Sequence, residues 1–190
     1  MVDSGSTDNT IELCQKFNCK IVRTEWLGFG KTKQLAVDNC TQDWILSIDA
    51  DEELTTELQN RIKAILQNPD AEGYYIKRMS YYLGKMIRHC GWNHDFPLRL
   101  FNRQKGKFNE KIVHESIEVK GTIKKIKEVM LHYTYPTLSS HIQKIDFYST
   151  LGVEKISGKK SSVSKAVMRG FFKFTKMYII QLGFLDGKIG

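Results

Sequence analysis

A short apolar run at residues 44–48, Trp-Ile-Leu-Ser-Ile, constrains the fold more than any other feature because it stops abruptly at an acidic segment, residues 49–53. Five residues are too few for a buried helix, so the run predicts a strand that is buried on both faces. Apolar spacing also predicts helices at residues 8–18 and 34–37, a strand at residues 20–24, and a helix bearing Leu58, Ile62, Ile65 and Leu66. This alternation predicts an α/β fold with a mostly parallel, Rossmann-like sheet flanked by helices.

The second half of the chain has a different pattern. Strand-like stretches occupy residues 74–82, 98–102 and 112–119, with loops at residues 91–93 and 105–107. From Thr137 the pattern becomes helical, with Ile142, Ile145 and Tyr148 on one face, and a Gly-Lys-Lys-Ser-Ser break at residues 158–162 precedes a last amphipathic stretch. We therefore expect an α/β domain at residues 1–136 and a C-terminal helical, basic amphipathic region at residues 137–190.

Composition limits the class of protein. The chain has 190 residues, of which 41% are hydrophobic and 26% charged, so disorder and coiled coil are excluded. No run approaches the roughly 18 apolar residues that span a membrane, and the first residues do not resemble a secretory signal. We expect a cytoplasmic protein.

The four cysteines (Cys14, Cys19, Cys40, Cys90) lack paired spacing, so we expect buried thiols rather than a zinc site, including at Cys90 with His89 and His94.

The net charge is positive and unevenly distributed. The chain has 29 Lys and Arg against 21 Asp and Glu, for a formal charge of +8. Such a chain attracts nucleic acid, anionic lipid or phosphorylated ligands, and the total charge does not choose among them. A nucleic-acid-binding module would show a reading motif, and the sequence has neither an RNP-like run nor a helix-turn-helix pattern.

Two polar segments carry candidate chemistry. Asp49 and Asp51 follow the buried strand, and side chains at i and i+2 of a strand point the same way. Carboxylates at the carboxyl end of a parallel strand suit Mg²⁺ or Mn²⁺ with a substrate diphosphate. The alternative is that they only cap the next helix. The loop at residues 3–8 leads into a helix N-terminus, which suits phosphate groups, or it is an ordinary capped turn.

Six segments in order resemble the inverting nucleotide-sugar glycosyltransferases of family two, which have the GT-A fold. They are residues 2–10 (VDSGSTDNT), 26–30 (WLGFG), 44–52 (WILSIDADE), 98–103 (LRLFNR), 113–115 (VHE) and 178–187 (YIIQLGFLDG). The last resembles the end of the branch that makes lipopolysaccharide core sugars, which is similar to the β-1,4-glucosyltransferases acting on core heptose. Members usually have a strand and a helix ahead of Val2, so we expect the first βα unit to be missing.

The resemblance implies roles for the polar residues. Asp3 contacts the base or ribose with Ser4 and Ser6 nearby, and Lys31 or Lys33 meets the diphosphate. Asp49 and Asp51 hold ribose and a divalent metal, Mg²⁺ or Mn²⁺. The implied reaction transfers a sugar with inversion from a UDP-sugar to a lipopolysaccharide-core or other cell-envelope acceptor. UDP-glucose is the expected donor, and UDP-galactose or UDP-N-acetylglucosamine suits the same motifs.

An inverting transfer needs one carboxylate to accept the proton of the acceptor hydroxyl. The resemblance offers two candidates, Asp95 and Glu115, and slightly favours Asp95 because it precedes an Arg-containing strand. The alternative for each is a surface carboxylate paired with Arg99 or Lys111. His114 orients a substrate oxygen or is a hydrogen-bonded structural residue.

The basic tail at residues 161–180 has two interpretations. It lies on an anionic leaflet, where a lipid-linked acceptor would give the contact a purpose, or its apolar face packs on the catalytic domain with the cations outward. A further alternative for the whole chain is a catalytically inactive partner that keeps the fold.

Overall fold

The structure is a computed structural model that describes residues 1–109, 115–156 and 162–189. The strands are β1 (Val2–Asp3), β2 (Val22–Arg23), β3 (Trp44–Leu46), β4 (Glu52–Leu54), β5 (Gly73–Tyr82), β6 (Lys85–Met86), β7 (Leu98–Asn102), β8 (Gly106–Phe108), β9 (Ile117–Val119) and β10 (Ile123–Tyr135). The helices are α1 (Thr10–Lys16), α2 (Phe29–Asp38), α3 (Thr56–Gln67), α4 (Leu138–Ile156) and α5 (Val163–Thr175). A 3₁₀ turn at Trp92–His94, a π-helical turn at Lys176–Ile180 and a 3₁₀ segment at Gly183–Ile189 complete the described elements.

The chain divides into two compact units. The first contains Met1–Ser47, Ile65–Tyr75 and Leu98–Lys125, and the second contains Ile48–Ala64, Ile76–Pro97 and Ile126–Gly190. The expected domain boundary after residue 136 stays a prediction, although α4 begins two residues later, at Leu138.

In the first unit, β7 lies between β3 and the start of β5. Both neighbours are antiparallel to it, with Ile45 opposite Phe101 and Tyr74 opposite Leu100. The short strands β1 and β2 pair in parallel, and β8 and β9 form an antiparallel pair. Apolar side chains from α2 and these strands form the core: Val37, Ile45, Leu98, Phe101 and Phe108.

In the second unit, β10 lies between β5 and β4. Its register with β4 is antiparallel and places Met130 opposite Leu54 and His132 opposite Glu52. Thr55 caps the N-terminus of α3, since its hydroxyl accepts from the Leu58 amide at 3.3 Å and donates to the Val129 carbonyl at 2.9 Å. These contacts tie the acidic segment, the helix after it and β10 together.

The α/β class is as expected, but the described strands are not mostly parallel: β1 pairs with β2 in parallel, whereas β10 with β4, β3 with β7, β5 with β6, β5 with β7 and β8 with β9 are antiparallel. Parallel neighbours in a sheet need a long crossover connection, usually a helix. The neighbouring strands β5 and β7 are instead connected through β6 and one 3₁₀ turn, and they pair antiparallel. The buried-strand prediction for residues 44–48 is also wrong in part. β3 ends at Leu46, Ile45 is its one buried residue, and Ile48 is 44% exposed.

Several local predictions need correction. β10 was not predicted, because Lys and Glu alternate irregularly with its apolar residues, and the expected loop at residues 105–107 contains the start of β8. Residues 112–114 of the expected strand at 112–119 lie outside the described residues.

In α3, Leu58, Ile62 and Ile65 are buried as expected, but Leu66 is 41% exposed. The expectation of buried thiols holds for Cys90 and is wrong for Cys19 and Cys40, which are exposed, while Cys14 is half-buried.

The C-terminal part is helical, as expected. The Ser162 hydroxyl accepts from the Lys165 amide at 3.3 Å and so caps the N-terminus of α5. The apolar residues of α5 are not packed away, since Val163 is 82%, Phe171 69% and Phe172 75% exposed. In the described residues this face is therefore not packed away, unlike the second interpretation given for the basic tail. None of the helices within the described residues has the length and apolar character needed to cross a membrane.

Candidate functional site

Asp49 and Asp51 lie in a tight turn of the second unit. The Glu52 amide donates to the Asp49 carbonyl at 3.0 Å, and a Glu52 carboxylate oxygen accepts from the Asp49 amide at 3.0 Å. Contrary to the prediction, the two aspartates therefore do not project from one face of a strand, because β3 ends before them. The turn still presents two half-buried carboxylates within three residues.

Asp51 is held by two basic side chains of the same unit. Its Oδ2 lies 3.4 Å from His132 Nε2 and 3.3 Å from Lys144 Nζ, and Lys144 also donates to the Thr134 carbonyl at 3.0 Å. Burial alone would raise the pKa of Asp51, but the hydrogen bond and charge of His132, together with those of Lys144, lower the pKa to about 2. Asp51 is therefore ionised throughout the physiological pH range.

His132, on β10, is oriented by hydroxyl groups. Its Nδ1 lies 2.7 Å from the Thr134 hydroxyl and 3.2 Å from the Ser80 hydroxyl. These contacts hold the ring with its Nε2 toward Asp51. Sequence analysis missed this histidine because its partner is 81 residues away and no metal-binding spacing marks it.

Arg78, on β5, joins the acidic turn to one of the two base candidates. Its Nη1 lies 2.9 Å from Glu52 Oε1, and its Nε and Nη2 lie 2.7 and 2.6 Å from Asp95 Oδ2. The Arg78 amide also donates to the Asp95 carbonyl at 2.9 Å. Burial alone would lower the pKa of Arg78, but the charges and hydrogen bonds of Asp95 and Glu52 raise it. Arg78 is therefore a permanent cation that positions Asp95.

Asp95 lines an open cleft of about 480 Å³ in the second unit. The cleft is bordered by charged and hydroxyl side chains and by the aromatic rings of Trp92 and Tyr135. Tyr135 stacks at a tilt on His141 with 4.1 Å between ring centroids, and the Tyr82 hydroxyl lies 2.9 Å from His141 Nδ1. A cleft with a rigid aromatic wall and a few fixed polar groups is typical of a small-molecule site.

The two base candidates have different surroundings. Asp95 is 39% exposed and is paired with Arg78, not with Arg99. Glu115, in the first unit, lies 2.7 Å from Lys33 Nζ, so Lys33 rather than Lys111 is its described partner. Val113, His114 and Lys111 lie outside the described residues, and the roles expected of them stay predictions.

Asp3 supports its own loop in the first unit. Its buried carboxylate accepts from the Gly5 amide at 3.2 Å, the Ser6 amide at 3.1 Å and the Ser6 hydroxyl at 2.5 Å. The Ser6 hydroxyl has the largest effect on the pKa of Asp3 and, with the two amides, holds it below its usual value despite burial. Ser4 and Lys31 are exposed and available to a ligand. The predicted nucleotide contacts of these residues stay predictions.

The chemistry of Asp51 fits a divalent cation only in part. Mg²⁺ commonly binds one or two carboxylates together with substrate phosphates and water. Asp51 is ionised and can supply one ligand, but Lys144 and His132 already contact its Oδ2. In the described part of the chain, no group of three or more His, Cys, Asp or Glu side chains is arranged to hold a metal ion.

Comparison with known proteins shows the family. The model of the family described as glycosyl transferase family 2 matches residues 1–128. The lipopolysaccharide core biosynthesis glycosyltransferase LpsC of Rhizobium meliloti is 30% identical over 188 residues, which cover 94% of this chain and 70% of LpsC. An uncharacterized glycosyltransferase of Rickettsia conorii is 28% identical over 208 residues, which cover 100% of this chain and 72% of the relative.

The crystal structure of Staphylococcus aureus TarS 1-349 in complex with UDP-GlcNAc has a related fold. The match has a TM-score of 0.51 at 15% identity and covers 100% of this chain and 66% of that one. This chain therefore spans about two thirds of the length of the solved structure. The expected GT-A fold is confirmed, with a mixed rather than mostly parallel sheet, and the chain belongs to glycosyl transferase family 2.

Proposed function

We propose that this protein transfers a hexose with inversion, from UDP-glucose in the first instance, to a hydroxyl of a lipopolysaccharide-core or other cell-envelope glycan. One observation carries the proposal. Arg78 bridges Glu52 of the acidic turn and Asp95 of the cleft, so the predicted base is held in a fixed place beside a site that a sugar can enter. The name of LpsC supports a cell-envelope acceptor, and the TarS complex with UDP-GlcNAc supports a UDP-sugar donor.

Asp95 is the proposed general base. In an inverting transfer the acceptor oxygen forms a bond to the anomeric carbon as the bond to the diphosphate oxygen breaks, and the carboxylate takes the acceptor proton. Both guanidinium contacts of Arg78 with the Asp95 carboxylate are to Oδ2, so Arg78 orients the carboxylate without using its other oxygen. Because Arg78 is also anchored on the fully buried Glu52 side chain, the base is pre-positioned.

The donor contacts are proposed residue by residue. Asp3, Ser4, Ser6, Lys31 and Lys33 are the proposed nucleotide-sugar contacts in the first unit. Lys33 must leave Glu115, 2.7 Å away, to reach a diphosphate. The negative charge of a bound nucleotide favours that exchange.

Asp49 and Asp51 are the proposed donor and metal ligands of the second unit. When bound with the nucleotide, Mg²⁺ or Mn²⁺ would offset the charge that develops on the leaving diphosphate. Asp51 would supply a carboxylate that is already ionised, and Lys144 would stay close to the same charge.

The acceptor is proposed to bind in the cleft beside Trp92 and Tyr135. Flat aromatic rings offer apolar surface to the C–H face of a sugar, while Ser80 and Thr134 supply hydroxyls at the same cleft. A lipid-linked acceptor would also explain the exposed apolar and cationic residues of α5, which we propose contact the inner face of the cytoplasmic membrane. These assignments predict a peripheral enzyme on the cytoplasmic side.

The base assignment is tested by Asp95→Asn and Glu115→Gln in a transfer assay with UDP-glucose and a core oligosaccharide. We expect Asp95→Asn to lower kcat by about 10²- to 10⁴-fold and to leave the affinity for UDP unchanged. Glu118→Gln, at an exposed carboxylate on β9, is the matched control. If only Glu115→Gln abolishes turnover, Glu115 is the base. A protein that binds UDP but transfers nothing to any acceptor would instead be an inactive partner.

A further inference from the structure

We infer that Asp186, in the C-terminal 3₁₀ segment, is a positioning residue that holds the loop carrying Trp92 and Asp95 in its active geometry. The inference rests on the proposed function, because it concerns how the proposed base and acceptor wall are held. It gives a purpose to the C-terminal motif at residues 178–187, which the donor and acceptor contacts leave unexplained.

Asp186 is a buried carboxylate whose partners all lie in one short loop. The residue is 4% exposed. Its carboxylate accepts from the His89 amide at 2.8 Å, from His89 Nδ1 at 3.0 Å and from the Arg88 amide at 3.2 Å. Burial alone would raise the pKa of Asp186, but the hydrogen bonds from His89 and from the two amides hold it below its usual value.

Further hydrogen bonds attach the tail to this loop and to β6 just before it. Lys85 Nζ donates to the Asp186 carbonyl at 2.6 Å, and the Cys90 amide donates to the Gln181 carbonyl at 3.0 Å. A Cβ added at Gly183 would lie 2.6 Å from the Cys90 sulfur, so this close approach requires glycine. The tail therefore contacts the loop along several residues rather than at one point.

The loop itself has a conformation that needs support. Cys90 and Gly91 have φ values of 58° and 80°, and the left-handed region is unfavourable for the non-glycine Cys90. The Trp92 amide then donates to the His89 carbonyl at 3.1 Å, and the 3₁₀ turn at Trp92–His94 leads directly to Asp95. Fixing His89 and Cys90 thus fixes where the turn begins and where Asp95 is placed.

The decisive variant is Asp186→Asn, which keeps the size and one acceptor oxygen but removes the charge. We expect kcat for transfer to fall about 10- to 100-fold, because a displacement near 1 Å at a reacting group has that effect. The affinity for UDP, measured by calorimetry, should be unchanged. Asp146→Asn, on the exposed face of α4, is the matched control and should behave as the unmodified protein.

A double-mutant cycle separates positioning from a general loss of structure. If Asp186 acts through Asp95, adding Asp186→Asn to Asp95→Asn should lower kcat no further. His89→Asn, whose amide nitrogen can replace Nδ1, should retain most activity, whereas His89→Ala should lose as much as Asp186→Asn. These two variants test the same contact if Asp186→Asn does not fold.

The outcomes distinguish the two hypotheses. Unchanged turnover in Asp186→Asn, equal activity of the two His89 variants, or fully multiplicative losses with Asp95→Asn would each overturn the positioning role alone. Absence of transfer by the unmodified protein would overturn the proposed function, and the positioning role with it.

Discussion

Replacing Arg78 with methionine should destabilise the second unit strongly, because Arg78 neutralises a carboxylate that has no exposure to solvent. The Glu52 side chain is 0% and that of Asp95 39% exposed. Removing one partner of a buried ion pair costs about 3–5 kcal/mol, since the other charge stays buried. The exposed contact with Asp95 adds at most about 1 kcal/mol. Because Glu52 keeps the hydrogen bond from the Asp49 amide, we expect a total near the lower limit, about 3 kcal/mol.

The assay is urea unfolding followed by circular dichroism, with Arg78→Met, Glu52→Gln and the combined variant compared in one cycle. Glu52→Gln removes the buried charge, so the combined variant should be more stable than the two single losses predict, by about 1–3 kcal/mol. Arg61→Met, at an exposed position of α3, is the control and should change the free energy of unfolding by less than about 0.5 kcal/mol.

The reasoning is refuted if Arg78→Met costs less than about 1 kcal/mol, the value of an exposed ion pair, or if the two substitutions are additive. Arg78→Lys gives a further check, because a lysine keeps the charge and loses the planar, forked donor geometry. It should recover part of the stability and little of the transfer activity.

Three further predictions follow from other parts of the molecule. The pKa of Asp51 is lowered from 3.8 to about 2, so its stabilising contribution is present above pH 4 and is lost as the pH falls toward 2. Its side chain is 34% exposed, so Asp51→Asn should cost only about 1 kcal/mol in urea unfolding at pH 7, and an equal cost at pH 2 would contradict this. Gly106→Ala should lower the free energy of unfolding by about 1–3 kcal/mol, because the added Cβ overlaps the Phe101 ring, and an unchanged urea midpoint would argue against that contact. The protein should float with anionic liposomes at low salt and not with neutral ones, and a variant with three substitutions in α5 should lose this binding: Lys165→Gln, Arg169→Gln and Lys173→Gln.

The local elements of the fold were largely accessible from sequence. The spacing of Leu58, Ile62 and Ile65 correctly predicted a helix with a buried face, and the pattern after Thr137 correctly predicted a helical tail. Strand direction was not accessible, because direction depends on which distant strand becomes the neighbour. Ile45 pairs with Phe101, a residue 56 positions away, and no local pattern reports that pairing.

The candidate site was accessible only where a motif marked it. The position after a predicted strand drew attention to Asp49 and Asp51, and the family resemblance added Asp95 as the proposed base. The residues that hold them, Arg78 and His132, are charged or polar positions on strands, and such positions usually indicate a solvated face. Their contacts are visible only once β5 and β10 bring them to partners 17 to 81 residues away.

The most direct test of the central claim is the configuration of the product, determined by ¹H NMR after incubation of the protein with UDP-α-glucose and a lipopolysaccharide-core oligosaccharide. A single displacement assisted by Asp95 predicts a β-linked glucose in the product formed by the unmodified protein, and about 10²- to 10⁴-fold slower formation by Asp95→Asn. An α-linked product, or an Asp95→Asn variant with undiminished turnover, would contradict the account.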